Sequence, residues 1–179
     1  MRGSVVSVNS SERKGQAKRP ARAGLLRQDW GLEGDAHAGP GERQVSLLAW
    51  ESVKQQVAQM RAKGVECPKA RSLSDAAAGS GAEHRDPCDI EPGDYAENLT
   101  TTGVDLRTAR PGDRIEVGPE AVLEVTRIGK ECHQHCDVYR RLGDCVMPRE
   151  GVFARVLRGG PVAEGDEVRL AKGGHTDPE

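Results

Sequence analysis

The stretch PGDRIEVGPEAVLEVTRIG, residues 111–129, contains two short segments in which apolar and polar side chains alternate. Pro111 and Gly112 form a turn signal before the first segment, and AVLEVTRIG at 121–129 forms the second. Alternation with a period of two is typical of a strand that buries one face. The same turn-and-strand pattern returns in EGDEVRL at 164–170. The second half of the chain is therefore predicted to consist of short strands joined by tight turns.

Three further segments extend this pattern. SVVSVN (4–9) is an alternating, β-branched strand candidate, and GVFARVLRGG (151–160) suits either a strand or a short helix. RQVSLLAWESVKQQVAQMRAKG (43–64) begins as a strand and takes helical spacing from about Ala49. Many short strands with few helices are typical of closed sheets. We expect a mainly β protein, a closed or partly closed β-barrel with a few peripheral helices.

The composition excludes several classes of protein. Aromatic residues make up only 3% of the 179 residues, so the core must be built from Val, Leu, Ile and Ala. A net charge of −2 gives no electrostatic case for binding nucleic acid or an anionic membrane. No apolar run approaches the roughly 20 residues that cross a bilayer, and residues 1–15 lack the apolar core of a signal peptide. We expect a soluble, cytoplasmic protein; the sequence carries no signal for an oligomeric state.

The length suits a single domain. Residues 65–89 are small, polar and irregular, and they predict a long surface loop or insert, because neither side has enough core alone. Residues 1 to about 170 are expected to be structured, and AKGGHTDPE at 171–179 is expected to be a flexible tail.

The stretch GKECHQHCDVYRRLGDC, residues 129–145, concentrates three cysteines and two histidines. A disulfide scaffold is disfavoured, because the chain has an odd number of cysteines, 5, and cytoplasmic thiols stay reduced. Structural zinc would use Cys132, Cys136 and Cys145 with His133 or His135, at a spacing that is irregular for a zinc finger.

The third interpretation of this stretch is a single working thiolate. Cys132 follows a predicted strand, and the positive charges of Lys130 and His133 favour its ionised form. In that case Cys136 and Cys145 are either buried small residues or a resolving partner for Cys132.

Three polar stretches are candidates for ligand binding. GLEGDAHAG (31–39) presents His37 from a glycine-rich loop, and Arg43 and Ser46 follow in RQVSLL. EPGDYAENLTTTGVDL (91–106) gathers hydrogen-bonding groups. ERKGQAKR (12–19) offers cations for a phosphate or carboxylate. Each stretch has a plainer interpretation, namely a turn that satisfies its own backbone or a solvated charged face.

In this order the segments GLEGDAHAG…RQVSLL, PGDYAENLTTTGVDL, PGDRIEVG, GKECH and CVMPREGVFARVLRGG…GDEV resemble the MOSC family, named for the C-terminal domain of molybdenum cofactor sulfurases. The resemblance runs from Val5 to about Leu170 and is to the small free-standing bacterial form. It implies a MOSC-type β-barrel with a pocket at one end. One departure concerns the usual Gly-Glu-Asn of the family, which is Ala96-Glu97-Asn98 here, so we expect a differently shaped turn.

The resemblance implies binding of the molybdenum cofactor, a phosphorylated pyranopterin dithiolene, or transport of sulfur on a persulfide. Cys132 matches the family's distinctive cysteine, as molybdenum ligand or sulfur carrier, and His133 and His37 are its expected catalytic companions. The implied cofactor-binding residues are Lys14, Lys18, Arg43, Ser46, Glu97, Asn98, Thr100 and Arg149. Pyridoxal phosphate is not expected, because it belongs to the aminotransferase-like domain of longer relatives.

The functional hypothesis is therefore a sulfur carrier or transferase, or a molybdenum-cofactor-binding protein. Its expected partners are a sulfur donor such as a cysteine desulfurase and a metallo-cofactor or molybdoenzyme acceptor. Two alternatives stay open: a small molybdenum-dependent reductase of N-oxygenated substrates, and a zinc-stabilised binding module. The sequence also does not name the sulfur acceptor.

Overall fold

The computed structural model describes residues 2–64, 90–131, 139 and 143–173. Helix α1 spans Trp50–Ala62, helix α2 spans Met147–Glu150, and a 3₁₀ turn spans Leu106–Thr108. The strands are β1 (Arg2–Ser10), β2 (Arg19–Pro20), β3 (Ala23–Arg27), β4 (Gly31–Leu32), β5 (Val45–Ala49), β6 (Leu99–Thr102), β7 (Arg114–Val117), β8 (Ala121–Ile128), β9 (Val152–Arg158), β10 (Gly160–Ala163) and β11 (Glu167–Ala171).

The sheet closes into a barrel. Its strand order is β11-β7-β8-β9-β5-β6-β1, with β2 beside β1, and β11 pairs back onto β1. Closure leaves the barrel strands without open edges. The mainly β, barrel-type fold predicted from the alternating segments is therefore confirmed. A smaller sheet in the order β10-β3-β4 lies beside the barrel.

One pair in the barrel is parallel. β5 and β6 run in the same direction, whereas the other neighbouring barrel strands are antiparallel. Parallel neighbours need a crossover connection, and α1 begins at Trp50, directly after β5 ends at Ala49. The predicted change from strand to helix at about Ala49 is confirmed, and the helix ends at Ala62, before Gly64 with its φ of 63°.

The barrel interior is aliphatic, as the composition requires. Five aliphatic side chains in it are 0% exposed: Val8, Leu47, Leu99, Ile115 and Leu123. The side chains come from five different strands, so they join the whole circumference into one core. A second cluster under α1 contains Leu48, Val53, Tyr95, Cys145, Val146, Met147 and Phe153.

The segment at 151–160, which suited either a strand or a helix, is extended and forms β9 and the start of β10. Several short elements were not predicted, among them β3 and also β6, which lies in the stretch interpreted as a hydrogen-bonding loop. The predicted insert at 65–89 lies outside the described residues, as do 174–179 of the predicted tail, whereas Ala171 ends β11. Among the described residues, no helix combines the length and apolar character needed to span a bilayer.

Candidate functional site

A cavity of about 440 Å³ lies where β5 pairs with β9, beside the start of β6 and the end of β8. Its lining brings together residues that are distant in sequence: Lys14, His37, Arg43, Ser46, Tyr95, Ala96, Asn98, Lys130, Cys145, Met147 and Phe153 are among them. Small-molecule sites commonly have volumes of about 300–1,000 Å³. The cavity therefore has the size of a ligand site, and it joins the three polar stretches that the sequence singled out.

The charged lining of this cavity is mainly cationic. Lys14, Arg43 and Lys130 contribute positive charge, and Glu42 contributes the negative charge. A concave surface dominated by one sign of charge concentrates ligands of the opposite sign. Arg43 adds a planar guanidinium that suits two-point contact with a phosphate or carboxylate. The cavity is accordingly suited to an anionic ligand.

Below His37 lies a buried ion pair. The Lys18 ammonium is 2.5 Å from Asp35 Oδ1, and both side chains are 0% exposed. The Asp35 carboxylate also accepts hydrogen bonds from the backbone N–H groups of Ser11 and His37, each at 3.0 Å. The glycine-rich turn is thus anchored to the basic loop through one carboxylate, and Lys18 serves this anchoring rather than the cavity lining.

Burial and pairing act in opposite directions on these two groups. Burial opposes ionisation of Asp35, yet the hydrogen bond and positive charge of Lys18 and the hydrogen bond from the His37 backbone N–H hold its pKa far below its usual range. Burial lowers the pKa of Lys18 from its ordinary value, and the hydrogen bond and charge of Asp35 counteract this shift. The 2.5 Å contact is that of an ion pair, in which Asp35 favours the charged form of Lys18.

Ser46 and Asn98 join β5 to the segment before β6. The Ser46 N–H donates to Asn98 Oδ1 at 3.0 Å, and the Asn98 N–H donates to Ser46 Oγ at 3.1 Å. The Asn98 amide also donates to the carbonyl of Asn9 at 3.3 Å. Both side chains line the cavity, but these bonds already occupy much of their capacity. Their geometry favours a role in holding the wall in shape.

Glu97 and Thr100 lie behind this wall, away from the lining. Glu97 Oε1 accepts from the N–H of Gly93 at 2.7 Å and from Thr100 Oγ1 at 2.6 Å. Thr100 Oγ1 in turn accepts from the side-chain amide of Asn9 at 3.1 Å. Glu97 is 0% exposed, and burial raises its pKa. Its Oε2 has no hydrogen-bond partner among the described residues.

The turn that precedes Glu97 has an unusual backbone. Ala96 has a φ of 65°, a left-handed conformation that favours glycine. The backbone at Ala96 thus takes a shape that glycine would adopt without strain, and the expectation of a differently shaped turn stays a prediction. The Ala96 N–H donates to the Gly93 carbonyl at 2.9 Å, which closes the turn at the cavity wall.

Arg149 is placed differently from the other predicted anion contacts. Its guanidinium donates to both carboxylate oxygens of Asp144, at 3.2 and 3.1 Å, and it does not line the cavity. Sequence reasoning had not named Tyr95 as a site residue, although Tyr95 lines the cavity and adjoins the Ala96-Glu97-Asn98 segment. Its hydroxyl is buried without a partner among the described residues, and burial raises the pKa of Tyr95.

The cysteine cluster is described only in part. Cys132 and His133 lie outside the described residues, together with His135 and Cys136. Cys145 is 4% exposed and lines the cavity, and its backbone N–H donates to Asp144 Oδ1 at 2.7 Å. Lys130, two positions before Cys132, also lines the cavity. The thiolate, zinc and resolving-cysteine interpretations of Cys132 stay predictions.

The sequence model of the MOSC domain matches residues 33–169. Similar solved structures include the YuaD protein from Bacillus subtilis, with 18% identity, a TM-score of 0.68, and coverage of 96% of this chain and 97% of that one. YiiM from Geobacillus stearothermophilus has 17% identity and a TM-score of 0.61 over 95% and 75% of the two chains. YiiM from Escherichia coli has 17% identity and a TM-score of 0.58 over 96% and 70%. No curated protein sequence matches the chain. At these identities the likeness concerns the fold.

Proposed function

This chain belongs to the MOSC domain family, and on that basis we propose that its cavity binds the molybdenum cofactor and that the Cys132 thiolate ligates the metal. The observation that carries the proposal is the convergence of Lys14, Arg43 and Lys130 on one cavity. The MOSC domain is associated with this cofactor and with sulfur transfer in general. A cationic cavity lined by Lys130, two positions before Cys132 in sequence, supports the proposal.

The donors around the cavity suit the chemical parts of such a cofactor. Arg43 and Lys14 would hold its phosphate, Arg43 by paired hydrogen bonds and Lys14 as a point charge. Tyr95 lies at the cavity wall, and its buried hydroxyl forms no hydrogen bond with a described residue. Buried polar groups normally have such a partner. When bound, the cofactor would supply a redox-active metal with sulfur ligands.

A thiolate is the side chain that this proposal requires at position 132. Thiolates bind soft metals, and neighbouring positive charge favours the ionised form over the thiol. Lys130 supplies such a charge from the cavity lining, two positions before Cys132 in sequence. The chain's own task would be to hold the ligand's anionic end and to present the sulfur.

Transport of sulfur as a Cys132 persulfide is the second candidate, because the same thiolate would attack the outer sulfur of a donor's persulfide and release the donor's thiolate. It would require a cysteine-desulfurase-like donor and an acceptor such as a molybdoenzyme. The volume and cationic lining of the cavity favour the bound cofactor, since a bare persulfide needs neither. Mapping of persulfides by mass spectrometry, after incubation with a cysteine desulfurase and cysteine, separates the two roles.

The first prediction concerns Arg43. In protein produced in a bacterium that makes the molybdenum cofactor, we expect Arg43→Ala to lower the co-purified pterin about tenfold or more. The reason is that losing a charge-assisted hydrogen bond costs about 1.5–3 kcal/mol. Pterin content is measured as fluorescence after oxidation, relative to protein.

Arg114→Ala is the matched control, because Arg114 is an exposed arginine on β7 that does not line the cavity. It should retain the pterin content of the unaltered protein. Equal pterin in the two variants, or none in the unaltered protein, would refute binding of the cofactor in this cavity.

A further inference from the structure

The ammonium of Lys18 lies between two acceptor sites below the cavity. Its Nζ is 2.5 Å from Asp35 Oδ1 and 3.1 Å from His37 Nδ1. Lys18 and Asp35 have fully buried side chains, whereas the His37 side chain is 37% exposed and lines the cavity. His37 therefore connects a buried ion pair to the ligand space.

The charge state of this pair decides which nitrogen of His37 carries the proton. An ammonium has three hydrogens and no lone pair, so a ring nitrogen that faces it must accept. The alternative, an Nδ1–H that donates to Asp35 Oδ2, would span 3.6 Å, which is too long for a good hydrogen bond. A neutral His37 with Nδ1 as acceptor carries its hydrogen on Nε2.

We propose that Lys18 and Asp35 are positioning residues that hold His37 in the Nε2–H tautomer, so that the cavity presents a neutral, directed N–H donor to an acceptor oxygen of its ligand. Nδ1 is turned toward the buried Lys18, so the opposite edge of the ring, with Nε2, is the one available to the cavity. Asp35 keeps Lys18 charged, and Lys18 in turn fixes the ring.

This assignment gives the lining two kinds of donor. Lys14, Arg43 and Lys130 supply charge, whereas His37 supplies a hydrogen bond with a fixed direction. In this tautomer Nε2 has no lone pair for a proton, so His37 acts as a donor and not as a general base. The ligand atom that meets it must be an acceptor, such as a phosphate or carbonyl oxygen. The nature of the ligand rests on the proposed function; the tautomer does not.

The test is a long-range ¹⁵N–¹H correlation spectrum of histidine-labelled protein at about pH 8, where an ordinary imidazole is neutral. The signals of His37 are assigned with His37→Gln. We expect the unaltered protein to show the Nε2–H pattern at His37. An Nδ1–H pattern would overturn the proposal, and the one variant that the assignment needs, His37→Gln, changes a side chain that is 37% exposed.

Two variants at the ion pair then test the cause. In Lys18→Met the ammonium is gone and the nearest partner of Nδ1 is the Asp35 carboxylate, so His37 should convert to the Nδ1–H tautomer. In Asp35→Asn the buried lysine loses the carboxylate that favours its charged form, so the Nε2–H pattern should give way in part to Nδ1–H, less completely than in Lys18→Met. Retention of Nε2–H in folded Lys18→Met would show that Lys18 does not fix the ring and would overturn its positioning role.

Inorganic phosphate serves as the binding probe in calorimetry. Loss of the donor in His37→Ala should raise the dissociation constant about tenfold, whereas His37→Gln, whose amide N–H lies close to the place of Nε2, should raise it less than threefold. Equal loss in both variants would overturn the donor role. An Nε2–H spectrum in protein that never acquires pterin would refute the proposed function alone, and an Nδ1–H spectrum in pterin-loaded protein would refute this inference alone.

Discussion

Glu97 is a carboxyl group inside the barrel wall whose burial raises its pKa. A carboxyl with a raised folded pKa stabilises the fold fully below its unfolded pKa of about 4.3, and this contribution is lost as the pH rises through the folded pKa. We expect Glu97→Gln, which cannot ionise, to lose that dependence. Relative to the variant, the unaltered protein should lose up to about 1.4 kcal/mol per pH unit above about pH 4.3.

Urea unfolding between about pH 4 and 7.5 measures this difference. Glu120→Gln is the control, because Glu120 is exposed in the turn between β7 and β8. Its stability should follow that of the unaltered protein at every pH. Parallel stability curves for Glu97→Gln and the unaltered protein would contradict a raised pKa at the buried Glu97.

Ala96 tests the strain at the cavity wall. Its φ of 65° costs an alanine about 1–2 kcal/mol, partly offset because glycine gains entropy in the unfolded chain. We expect Ala96→Gly to raise the free energy of unfolding by about 0.5–1 kcal/mol. Ala58→Gly, at an exposed position of α1, should lower it by about 1 kcal/mol. A similar loss in both variants would contradict strain at Ala96.

The sequence singled out most residues of this wall as candidate site residues. It did not show which of them line the cavity and which are buried behind it. Arg43, His37 and Lys14 line the cavity, and their role as ligand contacts stays a prediction. Lys18 and Glu97 are buried instead. The partner of Lys18, Asp35, comes from another loop, and charge patterns in sequence do not show which cation will meet which carboxylate. The partner of Glu97, the N–H of Gly93, lies in the turn just before it.

At the level of elements, the cavity depends on the docking of the basic loop against the turn before β6. The Lys18 N–H donates to the Gly93 carbonyl at 2.8 Å. Gly93 has a φ of 93°, and a Cβ there would lie 2.4 Å from the Lys18 carbonyl oxygen. The contact therefore requires glycine for two reasons, its backbone conformation and the lack of space.

We expect Gly93→Ala to lower the free energy of unfolding by about 2–4 kcal/mol, the sum of left-handed strain and a backbone clash. Gly15→Ala is matched in conformation, with a φ of 79°, but a Cβ there meets nothing within 4 Å. It should cost only about 1 kcal/mol. Chemical denaturation of both variants decides the matter, and equal losses would show that the close approach to Lys18 contributes nothing.

The sequence predicted apolar elements better than polar ones. β8 and α1 were recognised because their apolar residues recur with a period of two or at helical spacing. β6 was missed because its sequence, LTTT, contains one apolar residue, and its buried Thr100 is satisfied by Asn9 and Glu97 from outside the strand. A polar strand stabilised by such partners has the composition of a loop.

For the whole molecule, the alternating segments were enough to predict a barrel, and the structure adds the order in which its strands close. The parallel pairing of β5 with β6 and the return of β11 to β1 involve residues far apart in sequence, which periodicity alone does not connect. The same long-range closure brings Lys14, Arg43 and Lys130 to one cavity. The location of the site is thus a property of the closed barrel.

The most direct measurement is molybdenum K-edge X-ray absorption of cofactor-loaded protein, compared with the Cys132→Ser variant. For the unaltered protein, the proposed function predicts one sulfur ligand of molybdenum from the protein in addition to those of the cofactor. In Cys132→Ser this sulfur should be lost or replaced by a lighter atom, since soft metals prefer thiolate to hydroxyl ligands. Identical sulfur coordination in the two proteins would contradict ligation by Cys132, and protein that acquires no molybdenum at all would contradict the proposed function.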